Sequence, residues 1–106
     1  MIIGRVLSVA FLIIAVPALA DAGPDAAAMY KSKCAMCHGA DGRGQTPTGK
    51  AMKARDLRSA DVQKRSDAEL VAGIANGKGK MPAYKSALSQ ADIDALVSFI
   101  RQMAKK

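Results

Sequence analysis

Cys34-Ala35-Met36-Cys37-His38 is the stretch on which the reading of this chain turns. Side chains three and four positions apart on a helical turn share one face, with Cβ atoms about 5 to 6 Å apart. The turn therefore presents two thiols and an imidazole to one side. This C-x-x-C-H spacing is the attachment signature of a c-type haem. Both thiols reach the two vinyl groups of a single haem, and His38 projects toward the iron from the same turn. The thiols are consumed as thioethers, so a cysteine pair persists without becoming a disulfide.

Three other chemistries compete for the same residues. A thioredoxin-like redox pair needs a strand before the motif and a sheet around it. The segment before Cys34 reads as helix instead. A zinc site built on Cys34, Cys37 and His38 lacks a second ligand pair at finger-like spacing. A plain structural disulfide is the third.

Working outward, three helices are expected. The first covers residues 25–37, rich in Ala and following Gly23-Pro24. The second covers residues 67–76, where Ser66 and Glu69 have capping-box spacing and Asn76-Gly77 ends the run. The third covers residues 90–104, with Ser89 as its cap and Asp92 and Asp94 in its early turns. Ile93, Leu96, Val97, Ile100, Met103 and Ala104 fall on one face of it. Between these helices the chain reads as loop, with four glycines in residues 39–49 and Gly-Lys-Gly-Lys-Met-Pro over residues 77–82. No segment alternates apolar and polar residues, so no strand is expected. Loops this long in so small a domain imply a large bound group between the helices.

The chain has 106 residues, 16 Lys+Arg, 9 Asp+Glu and a formal charge of +7. That length suits one small domain. A charged fraction of 24% argues against disorder, and two cysteines exclude a disulfide-dense scaffold. Residues 1–20 differ from the rest. Arg5 is their only charge, an apolar run interrupted by Ser8 follows, and Ala18-Leu19-Ala20 closes the segment after Pro17. This is the pattern of a cleaved secretory signal peptide. The alternative is a retained N-terminal anchor, but residues 6–20 are shorter than the roughly 18 to 20 residues a membrane span needs. Cleavage leaves residues 21–106 as a single domain with a charge of +6. The product is expected to be soluble and periplasmic.

Iron needs a second axial ligand unless the site stays open. His38 is the only histidine, and methionine is the obvious partner. Met1 leaves with the leader. Met29 and Met36 sit on the attachment helix, and Met103 falls on the apolar face of the last helix. Met52 and Met81 remain. Met81 lies 43 residues after His38, enough chain to reach the opposite face of the ring. Pro82 pushes it toward extended backbone, and Gly77 and Gly79 permit close approach. Met81 is therefore the candidate ligand and Met52 a candidate pocket wall.

With these features in place, residues 26–103 resemble a class I monohaem cytochrome c of the short bacterial type. The resemblance rests on Cys34-Ala35-Met36-Cys37-His38-Gly39, on Gly-Lys-Gly-Lys-Met81-Pro82-Ala-Tyr, and on the last amphipathic helix. It implies a small all-α cytochrome c fold wrapped around one covalent haem. It also implies crossed first and last helices, with Ala26 and Tyr30 meeting Leu96, Phe99 and Ile100. A proline carbonyl holds the ring of the ligating histidine in this family, and Pro47 is the matching candidate. There is no Trp, so a propionate contact by Trp does not carry over. Arg55, Arg58 and Lys53 are candidates for that contact, with a solvated role as the alternative. Leu57 is expected to pack on the haem. Tyr84 either does likewise or caps a surface loop.

The implied function is electron carriage between Fe(II) and Fe(III) with His38 and Met81 as metal ligands, and no enzyme activity. A gas sensor or ligand-binding module with a labile sixth ligand is the alternative. A peroxidase-like site lacks a second histidine to act as acid or base. Lys31, Lys33, Lys50, Lys53, Lys78, Lys80 and Lys85 lie near the haem segments in sequence. They either steer acidic oxidase, reductase or dehydrogenase partners or simply solubilise the chain. Nucleic acid is not an expected partner.

Overall fold

The computed structural model describes residues 3–4, 6–13 and 24–106. The proposed cleavage site at residues 18–20 lies outside the described residues. Val6, Leu7 and Phe11 are almost fully exposed and add nothing to the core.

Six helices follow: α1 (Ala26–Lys33), α2 (Ala35–His38), α3 (Pro47–Met52), α4 (Ala60–Gln63), α5 (Asp67–Asn76) and α6 (Gln90–Met103). No strand occurs among the described residues; one isolated bridge joins Lys78 and Met81. The all-α expectation stands. α5 and α6 start at the caps read from the sequence. The Ser66 side chain accepts from Glu69 N at 3.1 Å. Ser89 forms a full capping box, accepting from Asp92 N at 3.1 Å while Ser89 N donates to the Asp92 carboxylate at 2.9 Å.

Two expectations change. The helix expected over residues 25–37 is divided at Cys34, a turn residue whose φ of −116°, with ψ −36°, is wider than that of a regular helix. The segment expected to be loop between Gly39 and Ser66 contains α3 and α4. Both are one-turn helices set by local caps. The Thr46 hydroxyl accepts from Gly49 N, and the Ser59 hydroxyl accepts from Val62 N.

α6 is the axis of the core. Its apolar face buries Ile93, Leu96, Val97, Ile100 and Met103, joined by Tyr30, Leu57, Val62, Ile74 and Leu88. Each such side chain contributes on the order of 1.5–3 kcal/mol by leaving water. α1 and α5 both pack on α6, and α2 packs on α3. At the α1–α6 contact the rings of Tyr30 and Phe99 lie 5.1 Å apart, tilted by 43°. The crossed first and last helices are thus present. Arg101 fastens α6 to the α4–α5 corner. Its guanidinium donates to Gln63 O at 2.9 Å, to Arg65 O, and to the Asp67 carboxylate at 2.9 Å. Asp67 is largely exposed, so the carbonyl bonds rather than the ion pair hold this corner.

Candidate functional site

Cys34 ends α1 and opens α2. Its N–H donates to Tyr30 O at 2.8 Å, and its carbonyl accepts from His38 N at 2.9 Å. Cys34, Cys37 and His38 consequently leave one tight turn, as the motif requires. Gly39, at φ +80°, stops α2, and its N–H returns to Ala35 O at 2.8 Å. A side chain is disfavoured at that angle.

The donor set suits a covalent haem. Both cysteines are free and half-buried. Burial pushes the Cys34 thiol up to about 11, with Lys33 opposing and Cys37 adding to the rise. The thiol is therefore held neutral in the chain as it stands. The His38 ring is oriented by its Nδ1, which lies 2.9 Å from Arg55 O. A carbonyl only accepts, so Nδ1 carries the proton. Nε2 is then the nitrogen available to iron. No group of three or more His, Cys, Asp or Glu side chains among the described residues is arranged to hold a bare metal ion.

The carbonyl on His38 corrects the Pro47 expectation. Pro47 is the first residue of α3, and a carbonyl at that position points along the helix toward residue i+4. Arg55 lies past the end of α3 in irregular backbone, where its carbonyl is free to face the ring. The Arg55 side chain itself is exposed.

A second contact set, not read from the sequence, holds the same turn. The Thr46 hydroxyl lies 2.6 Å from Met36 O and 3.1 Å from Cys37 O, and it accepts from Gly49 N at 2.8 Å. Gly49 is buried, and a Cβ there would overlap Cys37 O. Residues 46–55 therefore grip the attachment turn twice, at its carbonyls and at its imidazole.

Met81 sits in a tight turn. Lys78 N donates to Met81 O at 3.1 Å and Met81 N to Lys78 O at 3.0 Å, with Gly79 between them at φ +60°. Gly77 is at φ +71°, and a Cβ on it would fall 2.5 Å from Met81 O. The turn is tied to α5 through Tyr84 N and Ile74 O at 3.1 Å, and Lys85 N and Ala75 O at 3.1 Å. The Tyr84 hydroxyl donates to Lys33 O at 2.9 Å, one residue before Cys34. That bond joins the Met81 loop to the attachment turn, a role different from the loop tip weighed for Tyr84. Burial raises the Tyr84 hydroxyl above its ordinary range.

Met81 is half-buried against the core. Met103 is buried in α6, as its apolar face implied, while Met36 and Met52 are 73% and 42% exposed. Leu57 is buried, with its N–H on Gly42 O at 2.7 Å. Arg58 donates to Lys106 O.

A helical fold with two free thiols and a carbonyl-held imidazole on one turn defines a c-type haem protein. The comparisons with known proteins agree. Residues 21–100 match the family described as "Cytochrome C oxidase, cbb3-type, subunit III". Cytochrome c6 of Leptolyngbya boryana is 38% identical over 85 residues, covering 77% of this chain and 96% of that protein. Cytochrome c6 of Synechocystis sp. (strain ATCC 27184 / PCC 6803 / Kazusa) is 33% identical over 79 residues, covering 74% of this chain and 63% of that protein. The solved structure of the KustC0563 c-type cytochrome superposes with a TM-score of 0.69 at 32% identity, covering 74% of this chain and 96% of that one.

The chain belongs to the cytochrome c family and is a small class I monohaem member. It carries one covalently bound haem c with its iron, and it is an electron carrier with redox proteins as partners, not an enzyme. No helix among the described residues is long and apolar enough to cross a membrane.

Proposed function

We propose that this carrier attaches haem through Cys34 and Cys37, ligates iron with His38 Nε2 and Met81 Sδ, and works in the periplasm after loss of residues 1–20. The observation that carries the reading is the 2.9 Å contact between His38 Nδ1 and Arg55 O. It fixes the tautomer, leaves Nε2 as the ring nitrogen not engaged by Arg55 O, and makes the ring a stronger donor. The haem iron supplies the one-electron couple. The chain's own residues do the rest. The two thiols hold the group by thioether bonds. His38 and Met81 would hold the iron between them, which would leave no ligand position for a substrate. Leu57, Val71 and Ala75 belong to or pack against the apolar core beside Met81, a low-polarity surrounding that would tune the potential.

The segments around the site are basic. Residues 26–40, 42–55 and 70–91 contain no Asp or Glu, yet they hold Lys31, Lys33, Lys50, Lys53, Lys78, Lys80 and Lys85. All seven lysines are exposed. These are the segments that carry the attachment turn, its brace and Met81. An acidic oxidase, reductase or dehydrogenase surface is the complementary partner.

Two assays test the assignment. Acidified organic solvent should leave haem on the wild-type chain and release it from the Cys34→Ser/Cys37→Ser variant. Mass spectrometry of the exported protein should begin at Asp21. Release of haem from the wild type, or an intact residue 1 on the exported protein, contradicts the corresponding part.

A further inference from the structure

The attachment turn is too short to satisfy its own carbonyls. A helix leaves its last four C=O groups without intrahelical partners, and buried backbone groups need partners. α2 has only four residues. Cys34 O accepts from Cys37 N and His38 N, Ala35 O from Gly39 N, and His38 O from Gly44 N at 2.7 Å. Met36 O, at the surface, and the part-buried Cys37 O are left. The Thr46 hydroxyl lies within reach of both, at 2.6 and 3.1 Å, and its single proton is shared between them.

That hydroxyl is itself held. It accepts from Gly49 N at 2.8 Å, which makes Thr46 the cap of α3 as well. α3 then runs as a rigid brace to Lys53, whose N–H closes on Gly49 O and Lys50 O. Ala54 N also returns to Gly49 O, at 2.8 Å. The next residue is Arg55, whose carbonyl faces the His38 ring. The brace has two ends, and both rest on the turn that carries the iron ligand.

We infer that Thr46 is a positioning residue for His38: its hydroxyl sets the register between the attachment turn and the brace, and so sets the bond from His38 Nδ1–H to Arg55 O. The inference rests on His38 being the iron ligand. Without the hydroxyl, Met36 O and Cys37 O lose their partner and the turn shifts against α3. The Nδ1–H···O bond then lengthens. A less strongly hydrogen-bonded imidazole is a poorer donor, so the ferric state is stabilised less and the potential rises.

The test compares Thr46→Val, which keeps shape and removes the hydroxyl, with Thr46→Ser, which keeps the hydroxyl. Both are made as the haem-loaded protein. In the reduced state, upfield ring-current shifts of the His38 ring protons in the wild type establish ligation. Their absence sinks the ligand assignment and the inference with it, whereas the comparison of the Thr46 variants tests the positioning role on its own. Solvent exchange of the His38 Nδ1 proton is then measured, together with the midpoint potential. Thr46→Val should exchange at least tenfold faster and have a higher potential, and Thr46→Ser should restore both. If Thr46→Val does not accumulate with haem, Thr46→Ala against Thr46→Ser makes the same comparison, since that pair also differs by one hydroxyl. Wild-type exchange and an unchanged or lower potential in the hydroxyl-free variant, with only a lower melting temperature, overturns the inference.

Discussion

The hydroxyl of Tyr30 donates to the carbonyl of Gly39 at 2.6 Å. Tyr30 belongs to α1 and packs on Phe99 of α6, while Gly39 terminates the attachment turn. One bond therefore couples the α1–α6 crossing to the end of the segment that holds the haem. Removing it leaves Gly39 O with only the Gly42 N–H, at 3.1 Å. Tyr30→Phe should lower stability by roughly 0.5–1.5 kcal/mol, read from chemical denaturation of the haem-loaded protein.

The same bond gives an alkaline signature. Burial, with smaller contributions from Cys34 and Asp41, holds the Tyr30 hydroxyl well above the usual tyrosine range. An unfolded tyrosine loses its proton near pH 10. The folded state keeps it longer, so this share of stability is complete below about pH 10 and is lost as pH rises toward the folded value. Denaturation curves taken from about pH 8 to pH 11 should show falling stability, with a flatter fall in Tyr30→Phe. Equal slopes in the two proteins would refute the assignment.

Gly49 is the point of closest approach between α3 and the attachment turn. An added Cβ would overlap Cys37 O and come within 2.7 Å of Gly44 O, both backbone atoms that cannot swing aside. Gly49→Ala should cost at least the roughly 3 kcal/mol at the upper end for overpacking, and it should reduce haem incorporation. Gly73→Ala meets nothing within 4 Å and serves as the control. It should gain up to about 1 kcal/mol, because α5 trades a glycine for a better helix former. Equal haem content in both variants would show that the contact is unimportant.

Lys53 closes α3 at φ +56°, the one non-glycine residue in the left-handed region among those described. The strain there is about 1–2 kcal/mol, partly offset by the greater unfolded-chain entropy of glycine. Lys53→Gly should therefore raise stability by about 0.5–1 kcal/mol. A lower melting temperature would mean that the Lys53 side chain contributes more than its backbone costs.

The basic segments predict a salt response. Electron transfer to an acidic redox partner should slow as ionic strength rises, because screening shortens the reach of the exposed lysines to about 8 Å at physiological salt. Charge reversal at Lys33 and Lys80 should weaken both the rate and its salt dependence. A flat response to salt would assign these lysines to solubility.

What the sequence made legible follows from which signals are local. The caps Ser66 and Ser89 and the apolar face of α6 are written in residue type and spacing, and the helices begin where those residues say. The attachment turn is equally plain, because its chemistry needs two thiols and one imidazole at fixed offsets. α3 was hidden because six residues are too few to show a period and Gly49 within it reads as a breaker. α4 is shorter still. The partner of His38 was hidden for another reason. A backbone carbonyl belongs to every residue type, so nothing about Arg55 announces it, and the family resemblance directed attention to Pro47. Thr46 had no signal beyond being a capping residue before Pro47. Its contact with Met36 O and Cys37 O exists only once the loop of residues 39–45 has folded back.

The proposed ligation of iron by both His38 and Met81 is tested most directly by the absorption spectrum of the reduced, haem-loaded protein before and after carbon monoxide, with Met81→Ala beside it. No change is expected in the wild type, where the Met81 thioether would hold the sixth position, and a clear shift in Met81→Ala. A clear shift in the wild type would contradict it, leaving Met81 off the iron or weakly held and making a ligand-binding sensor the better reading.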